Sequence, residues 1–503
     1  MTAAPHRIVP GQAQPLYGVA STRRIEQAAL ATLAPHTLMR RAGLSVARLA
    51  MALAPHARTV WLACGPGNNG GDGLEAAVHL QQGGKQPVVT WLGDEAHAPA
   101  DALASLARAR HAGVRFADGP PDGMSPHDIA VDALLGIGVT RAPEGRLAAL
   151  IQVLSTLHAP VLAVDVPSGL NADTGNYATN LIANNDHWTR TRSVFHAKNT
   201  LSLLTCKPGL FTAQGRDAAG QIWWDDLGVD AGLEPPQAWL SPRPSDAPRA
   251  HATHKGSFGD VAVVGGAPGM TGAALLAATA ALHGGAGRVF VALLDGGSVA
   301  VDPTRPELMF RAADSLDLAH MTVVCGCGGG DAVRSVLPQA LSRAARLVLD
   351  ADALNAVAAD SQLQTLLRAR AARDRSHSGT TVLTPHPLEA ARLLGVPTAA
   401  VQADRVAAAQ LLADRWGCAV VLKGSGTVVA HPVQTPRINP TGNARLATAG
   451  TGDVLAGMVG ARLAGSSDAF SAAAAAVFVH GELADGWPAT TALTAGGLAG
   501  AVR

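Results

Sequence analysis

Twice along this chain, short apolar runs alternate with helical stretches, and the second series begins only after an interruption without period. The first series, from about residue 16 to 228, contains TVWLAC, PVVTWLG, DIAVDALLG, PVLAVDVP and TLSLLT. The second contains DVAVVGG, the helical TGAALLAATAALHGG, then GRVFVALL, MTVVCG, ARLVLDAD, GTTVLTP, AVVLKG and GTVVAH, with an Ala-rich helical region after Gly452. Such alternation predicts parallel strands covered on both faces, the doubly wound α/β arrangement. Residues 229–250, VDAGLEPPQAWLSPRPSDAPRA, are crowded with Pro, Ala and Ser and predict a linker. Two α/β domains are therefore expected, 1–228 and 251–503, because 503 residues are too many for one ordinary core.

Composition removes several functions. Charged residues make up 15% of the chain, the net charge is +1 and aromatics are 4%, so neither a phosphate-tracking groove nor a base-stacking platform is advertised. Nucleic acid is not expected as a partner. No apolar run is long enough to span a membrane, and MTAAPHRIVPGQAQPLYGVAS has no apolar export core, which predicts a cytoplasmic protein. The five scattered cysteines read as reduced thiols; Cys325-Gly-Cys327 lacks the two-residue gap of redox and zinc pairs and reads as small core residues. Lysines also number only five, and Lys207, Lys255 and Lys423 lie in glycine-containing clusters, where a compact ammonium on a flexible stem has specific uses.

In the first half, ACGPGNNGGDGLEAA carries G-x-G-x-x-G at Gly65, Gly67 and Gly70, and Asp94 and Glu95 stand where a dinucleotide fold places its ribose ligand. The rest of the loop argues against a hydride-carrying cofactor. Asn68, Asn69 and Asp72 offer amide and carboxylate oxygens suited to a ribose, an amide or a hard monovalent cation. Asp72 with Glu75 also predicts a helix N-cap and capping box. Downstream, Asp132 lies on a strand ahead of Gly136 and Gly138, whose amides suit phosphate, and VLAVDVPSGL ends a strand at Asp165 before turning at Ser168. Ligands of open α/β sheets bind outside the carboxyl ends of the strands, so these three strand ends predict one crevice.

In the second half, Gly265, Gly266, Gly269 and Gly272 form a glycine loop that opens a helix. His386 ends a strand ahead of Pro387 at a helix N1 position, and Lys423 ends another strand in VLKGSGTVV. Gly450-Thr451-Gly452-Asp453 immediately precedes a long apolar helix. Amides there form an anion hole, and an aspartate beside them is placed to take a proton from a hydroxyl as it meets a phosphoryl group. The competing reading makes Asp453 a plain N-cap.

LYGVASTRRIEQAAL, GPGNNGGDGL, DALLGIGV, AVDVPSGLNADTG and CKPGLFTAQG resemble the successive motifs of the epimerase domain of the bifunctional NAD(P)H-hydrate repair enzymes. The resemblance implies a Rossmann-like domain in which Asn68, Asn69, Gly70, Gly71 and Asp72 bind the hydrated dinucleotide. Gly136, Ile137, Gly138, Val139, Thr140, Arg141 and Ala142 would line its phosphate side, Asp165 would contact the damaged nicotinamide ring, and Asn69, Asp132 and Ser168 would hold a potassium ion. Inverting the hydroxyl-bearing ring carbon requires an acid/base group close to it, and Asp165 is the candidate. Residues 176–200 depart from the family's pattern.

Residues 251–499 resemble the ribokinase-like superfamily and, within it, the ADP-dependent NAD(P)H-hydrate dehydratases. That implies substrate contacts by Ala274, Gly328, His386 and Asp453, and adenine nucleotide contacts by Lys423, Gly424, Ser425, Gly426, Thr427 and Gly452, with Mg2+ accompanying ADP. Asp453 would be the base that activates the ring hydroxyl. Within CGCGGG, Cys327 and Gly329 replace the family's proline and leucine, and Leu388 replaces a glycine in TPHPLE. The implied activity is epimerisation of the R and S hydrates followed by ADP-driven dehydration of the S form, on small-molecule substrates, in a homo-oligomer. A ribokinase-type small-molecule kinase with an accessory N-terminal domain is the alternative. A non-catalytic scaffold fits less well with Asp165 and the Asp132/Ser168 pair present.

Overall fold

The computed structural model describes residues 4–177, 195–245, 250–373, 379–466 and 468–502. It divides into two compact units, one of Met1–Val9 with Pro15–Gln237, the other of Pro10–Gln14 with Ala238–Arg503. Most of the segment that departs from the family's pattern, 178–194, lies outside the described residues. The stretch expected as a linker is only partly one. Ala238–Leu240 is a strand paired in parallel with Gln434–Ile438, and Ala238 and Leu240 are fully buried there.

The first unit is built on a sheet whose strands run Gln221–Asp225, Asn199–Leu203, Val161–Val164, Ile129–Ala133, Thr59–Cys64, Gln86–Trp91 and Arg115–Phe116, all parallel. His6–Arg7 adds an antiparallel edge. The central strands are apolar on both faces because helices cover both: Trp61, Leu62 and Ala63 are completely buried. Strand order reverses direction between Thr59–Cys64 and Ile129–Ala133, which opens a crevice at their carboxyl ends.

The helix entering this crevice corrects the expected cap. It spans Asn68–Gln82 with Gly67 as N-cap, so Asp72 lies in its second turn and caps nothing. Close approach to the preceding strand explains the early start: a Cβ at Gly70 would sit 2.0 Å from the Gly65 carbonyl oxygen, and one at Gly73 would sit 2.7 Å from the Cys64 sulfur. Packing overrides the poor helix propensity of these glycines. Glu75 is buried and accepts from Arg108 Nη2 at 2.6 Å and Ser105 Oγ at 3.1 Å instead of completing a capping box.

In the second unit the strands run Met309–Phe310, Arg288–Leu293, Asp260–Gly265, Thr322–Cys325, Arg346–Leu349, Thr381–Leu383 and Ala419–Leu422 in parallel, followed by Val428–His431 and Gln434–Ile438 in antiparallel pairs. Here order reverses between Asp260–Gly265 and Thr322–Cys325. The helices Thr271–His283 and Thr451–Ala464 pack on this sheet, and their contact requires a glycine: a Cβ at Gly457 would lie 2.0 Å from the Ala277 carbonyl oxygen. Among the described residues, no helix is long and apolar enough to cross a membrane.

Candidate active sites

At the reversal point of the first sheet lies a cavity of about 440 Å³, walled by Asn68, Asn69 and Asp72 from the first strand end, Gly136–Val139 from the second and Asp165 from the third. Asp165 follows the strand Val161–Val164 with φ 68°, a left-handed conformation that costs a non-glycine residue about 1–3 kcal/mol. Its backbone N–H donates to Leu201 O at 2.7 Å, and its carboxylate forms an ion pair with the buried Lys207 ammonium. Lys207 also donates to Leu203 O at 2.6 Å. Glu26 and Asp101 complete an acidic wall. Burial, reinforced by the charges of Asp165 and Glu26, holds Asp72 well above the usual carboxylate range, and burial with Asp165 raises Glu26.

Behind this wall Asp132 is completely buried, accepting from Ser168 N–H at 2.9 Å, Ser168 Oγ at 2.6 Å and Leu134 N–H at 3.2 Å. Burial pushes its pKa up to about 6 against those hydrogen bonds. Asn69 Oδ1 faces Gly136, where a Cβ would lie 3.2 Å away, and Asn69 Nδ2 is buried with no hydrogen-bond partner among the described residues.

The second site gathers at the carboxyl ends of four strands. Asp350, nearly fully buried, accepts from Lys423 Nζ at 2.7 Å and Thr384 Oγ1 at 2.8 Å. The Cys327 sulfur lies 4.0 Å from Asp350 Oδ2, and side-chain ligand atoms of Cys327, Asp350 and Asp453 all fall within 4.8 Å of one another. Burial and then the Asp350 charge push Asp453 up to about 6, while the Cys327 thiol and Lys423 pull it down. Burial opposes the charge on Lys423, but Asp350 and Glu389 outweigh it and raise its pKa.

Asp453 is not an N-cap. The helix Thr451–Ala464 is capped by Gly450 in the left-handed region, φ 89°, with no side-chain cap; Thr451 N–H donates to Thr448 O at 3.3 Å, and among the described residues the N–H groups of Gly452 and Asp453 stay open to an anion. A Cβ on Gly452 would sit 3.4 Å from Lys423 Nζ, which places the ammonium over that helix end. His386 caps the helix Pro387–Leu394: its Nδ1 accepts from Leu388 N–H at 3.1 Å, while Glu389 Oε2 accepts from His386 N–H at 2.8 Å. Burial and the Lys423 charge lower the His386 pKa; burial pushes Glu389 up to about 7.

Models of two families match this chain. The one described as NAD(P)H-hydrate dehydratase matches residues 261–499, and the one described as YjeF-related protein N-terminus matches 35–209. The bifunctional NAD(P)H-hydrate repair enzyme Nnr of Escherichia coli (strain K12) is 35% identical over 481 residues, covering 92% of this chain and 87% of that protein. The chain belongs to the family of bifunctional NAD(P)H-hydrate repair enzymes. The ADP-dependent (S)-NAD(P)H-hydrate dehydratase of Neisseria meningitidis serogroup B is 44% identical over 261 residues, 50% of this chain and 86% of that one. A solved Bacillus subtilis ADP/ATP-dependent NAD(P)H-hydrate dehydratase, co-crystallized with ATP/Mg2+, is 30% identical, covers 51% of this chain and 91% of that one, and has a TM-score of 0.43.

Within this repair-enzyme chain, the residues singled out by sequence fall into two groups. Asn68, Asn69, Asp72, Gly136, Ile137, Gly138, Val139 and Asp165 line one cavity. Gly70 and Gly71 are buried away from it, where a Cβ at Gly71 would meet Met39 and Ala102 at 2.7 and 3.0 Å. Thr140 and Arg141 are exposed and Ala142 is half-buried, all three outside the cavity wall. Asp94 and Glu95 are also outside, bonded to His97 and Arg110 at 2.7 Å each.

In the second unit Ala274 is fully buried, 3.1 Å from where a Cβ of Gly266 would lie, so it shapes the glycine loop and has no surface open to a ligand. Gly328 has φ 58° and approaches Met270 O, a place only glycine fits. Gly424 and Gly426 are left-handed, Ser425 is exposed, and Thr427 Oγ1 donates to Gly424 O at 3.1 Å, making a tight turn directly after Lys423.

Sequence reasoning missed Asp350, Thr384 and Glu389, and it did not pair Lys207 with Asp165. The signals existed. Lys207 was one of the few lysines, and Asp350 ends a strand-like run as Asp165 does. Cys327 is buried as expected, but the site lies beside it.

Proposed function

We propose that the first unit interconverts the R and S hydrates of NADH and NADPH and that the second dehydrates the S form at the expense of ADP. Family membership across both halves supports this reading. The observation that carries it is Asp453, half-buried beside an open helix N-terminus with the Lys423 ammonium over it.

In the second unit Asp453 takes the proton of the ring hydroxyl as that oxygen attacks the terminal phosphorus of ADP. The new O–P bond forms, the phosphoanhydride bond breaks and AMP departs. The C–O bond then breaks, driven by the ring nitrogen's lone pair, phosphate leaves, and loss of a proton from the adjacent carbon restores the ring double bond. Phosphate is a far better leaving group than water, which is why a phosphoryl-transfer site suits a dehydration. Lys423 and the amides of Gly452 and Asp453 hold negative phosphate oxygens, with Gly424, Ser425, Gly426, Thr427 and Gly452 around the nucleotide. Gly328 and His386 border the substrate. Mg2+ brought with ADP fits here, since it binds phosphates plus one or two carboxylates, and Lys423 and Thr384 both bond Oδ1 of Asp350, so that Asp350 Oδ2 would hold the ion while Asp453 takes the proton. Bound there, it would shield phosphate charge.

In the first unit Asp165 is the proton-transfer group at the ring and Lys207 orients it. Asn68, Asn69, Asp72 and the Gly136–Val139 turn hold the rest of the dinucleotide. Asn69, Asp132 and Ser168 supply amide, carboxylate and hydroxyl oxygens, a donor set that fits potassium; Asn69 Nδ2, without a partner among the described residues, leaves that side chain free to turn its oxygen toward an ion. Potassium would anchor the phosphate side of the substrate. Reduced buried thiols support a cytoplasmic location, and a homo-oligomer, read by sedimentation, is part of the proposal.

Purified protein given ADP, Mg2+ and mixed hydrates of NADH is expected to restore NADH absorbance from both epimers. ATP-driven phosphorylation of an added alcohol, with no recovery of NADH, would overturn the reading in favour of a small-molecule kinase.

A further inference from the structure

On the epimerase reading of the first unit, its cavity needs two proton-carrying groups, and Asp165 is only one of them. The carbon that bears the hydroxyl also bears the ring nitrogen, so it can invert by opening the ring. A base removes the hydroxyl proton, a C=O double bond forms, the C–N bond breaks, and the electron pair left on nitrogen takes a proton from an acid. Rotation about the neighbouring C–C bond presents the other face of the carbonyl, and the same steps in reverse close the ring in the opposite configuration. Atoms and electrons balance without a co-reactant, but the base and the acid must be separate groups, one ionised and one neutral.

Asp165, paired with the Lys207 ammonium, is the ionised member. Its counterpart has to line the same cavity and hold no cation. Glu26 meets both conditions. It stands on the helix Val19–Leu30, which presents Thr22, Glu26 and Leu30 to the cavity at the four-residue spacing of one helix face. Thr22 Oγ1 lies 2.8 Å from Thr205 Oγ1, so the turn before Glu26 is tied to the segment that carries Lys207. Glu26 is half-buried, and among the described residues its carboxyl group makes no hydrogen bond or ion pair.

The cations nearby are accounted for. Lys207 is taken by Asp165 and Leu203 O, and Arg23 is exposed. The charged groups that face Glu26 are Asp165, Lys207, Arg23, Asp101, which is bonded to His36, and Asp72 from the neighbouring helix. Burial and then the Asp165 charge outweigh Lys207 and Arg23, so Glu26 holds its proton to a higher pH than an ordinary glutamate. A carboxyl group kept neutral beside an ionised one lets a single site supply acid and base together. Asp72 lines the cavity as well, but it shares its helix with Asn68 and Asn69, on the side assigned to the rest of the dinucleotide.

We propose that Glu26 is the second catalytic residue of the epimerase, giving its proton to the ring nitrogen as Asp165 removes that of the hydroxyl, and recovering it when the ring closes on the other face.

The full chain without ADP, given pure R hydrate of NADH, reads the step directly: the S form is separated and measured at intervals, and the spontaneous rate is subtracted. Wild-type kcat is expected to fall at high pH, as Glu26 ionises. Glu26→Gln is expected to lower kcat ~10²-fold or more and to abolish that alkaline fall in what remains, while ADP-driven dehydration of pure S hydrate is unchanged. Glu26→Asp keeps an acid in the cavity and is expected to retain the alkaline fall at a reduced rate. Near wild-type interconversion by Glu26→Gln overturns the proposal. So does an alkaline fall that survives in Glu26→Gln and disappears in Asp72→Asn, which makes Asp72 the donor. If both Glu26 variants lose rate and urea midpoint alike, Glu26 is a packing residue and the proposal fails. A wild-type chain that does not accelerate interconversion at all overturns the epimerase reading, a result independent of every Glu26 variant.

Discussion

Both units place a lysine–aspartate pair at the carboxyl ends of their strands, and they use it in opposite ways. In the first, buried Lys207 grips Asp165, the proton-transfer candidate itself, which is further fixed by a left-handed backbone. In the second, Lys423 grips Asp350, and the candidate base Asp453 stands beside that pair with its pKa at about 6. A cation on the reacting carboxylate suits an epimerisation that must deliver and recover a proton at one ring carbon. A base kept apart from the cation suits phosphoryl transfer, where the ammonium is needed on the phosphate. The lesson is that a Lys–Asp pair has no fixed meaning at a strand end; its role depends on which member faces the reacting atom.

The largest expected effects test that division directly. Asp165→Asn is expected to lower conversion of the R hydrate ~10²–10⁴-fold, the usual contribution of a positioned acid/base group, and to leave dehydration of pure S hydrate untouched. Asp453→Asn is expected to do the reverse. Separate assays of each epimer read both variants; recovery of NADH from the S form by Asp453→Asn at wild-type rate would remove Asp453 as the base.

Next come the pairs as structural elements. Lys207→Met leaves Asp165 without its partner in a buried position, and breaking such a pair costs ~3–5 kcal/mol. Lys423→Met is expected to cost at least as much, because the Asp350 side chain it strands is 2% exposed against 12% for Asp165, so water reaches it less easily. Urea unfolding curves of the two variants decide it. A clearly smaller loss at Lys423 would mean that burial of the stranded carboxylate does not rank the two pairs.

The same contrast explains how much of the molecule was legible in its sequence. Five strands of the first unit and seven of the second were readable because strands covered on both faces are continuous apolar runs. Gln221–Asp225 and Gln434–Ile438 escaped because their faces are half-exposed and polar residues interrupt them. Strand-end logic found Asp132, Asp165 and Lys423, since topology alone brings strand ends together. It could not find which carboxylate each lysine takes, because Lys207 and Asp165 are 42 positions apart and Lys423 and Asp350 are 73 apart. The cap expected at Asp72 failed for a related reason: local capping preference is worth only about 1 kcal/mol, and here Gly70 and Gly73 pack against Gly65 and Cys64 in a helix that already starts at Asn68.

A smaller effect separates the two activities by pH. Asp453 works as a base only when ionised, and its pKa is raised to about 6, so dehydratase kcat/KM is expected to be flat above that pH and to fall about tenfold per unit below it. The pH profile of S-hydrate turnover at subsaturating substrate reads this limb. If the same limb persists in the residual activity of Asp453→Asn, another group such as Glu389, raised to about 7, produces it.

The finest test concerns the thiol that stands beside Asp350 and Asp453. The Cys327 thiol beside Asp453 pulls its pKa down and thereby favours its ionised form, while burial and Asp350 oppose that form. Removing the thiol in Cys327→Ala leaves the opposing contributions in place, so the acid limb is expected to move to higher pH by a fraction of a unit, with kcat on the plateau nearly unchanged. The buried sulfur is fully enclosed, so the substitution also removes packing, and the unfolding midpoint must be measured beside the profile. A limb that moves to lower pH, or does not move while stability falls, would make Cys327 a packing residue only. The second site would then match the first, where no thiol lines the cavity beside the reacting carboxylate.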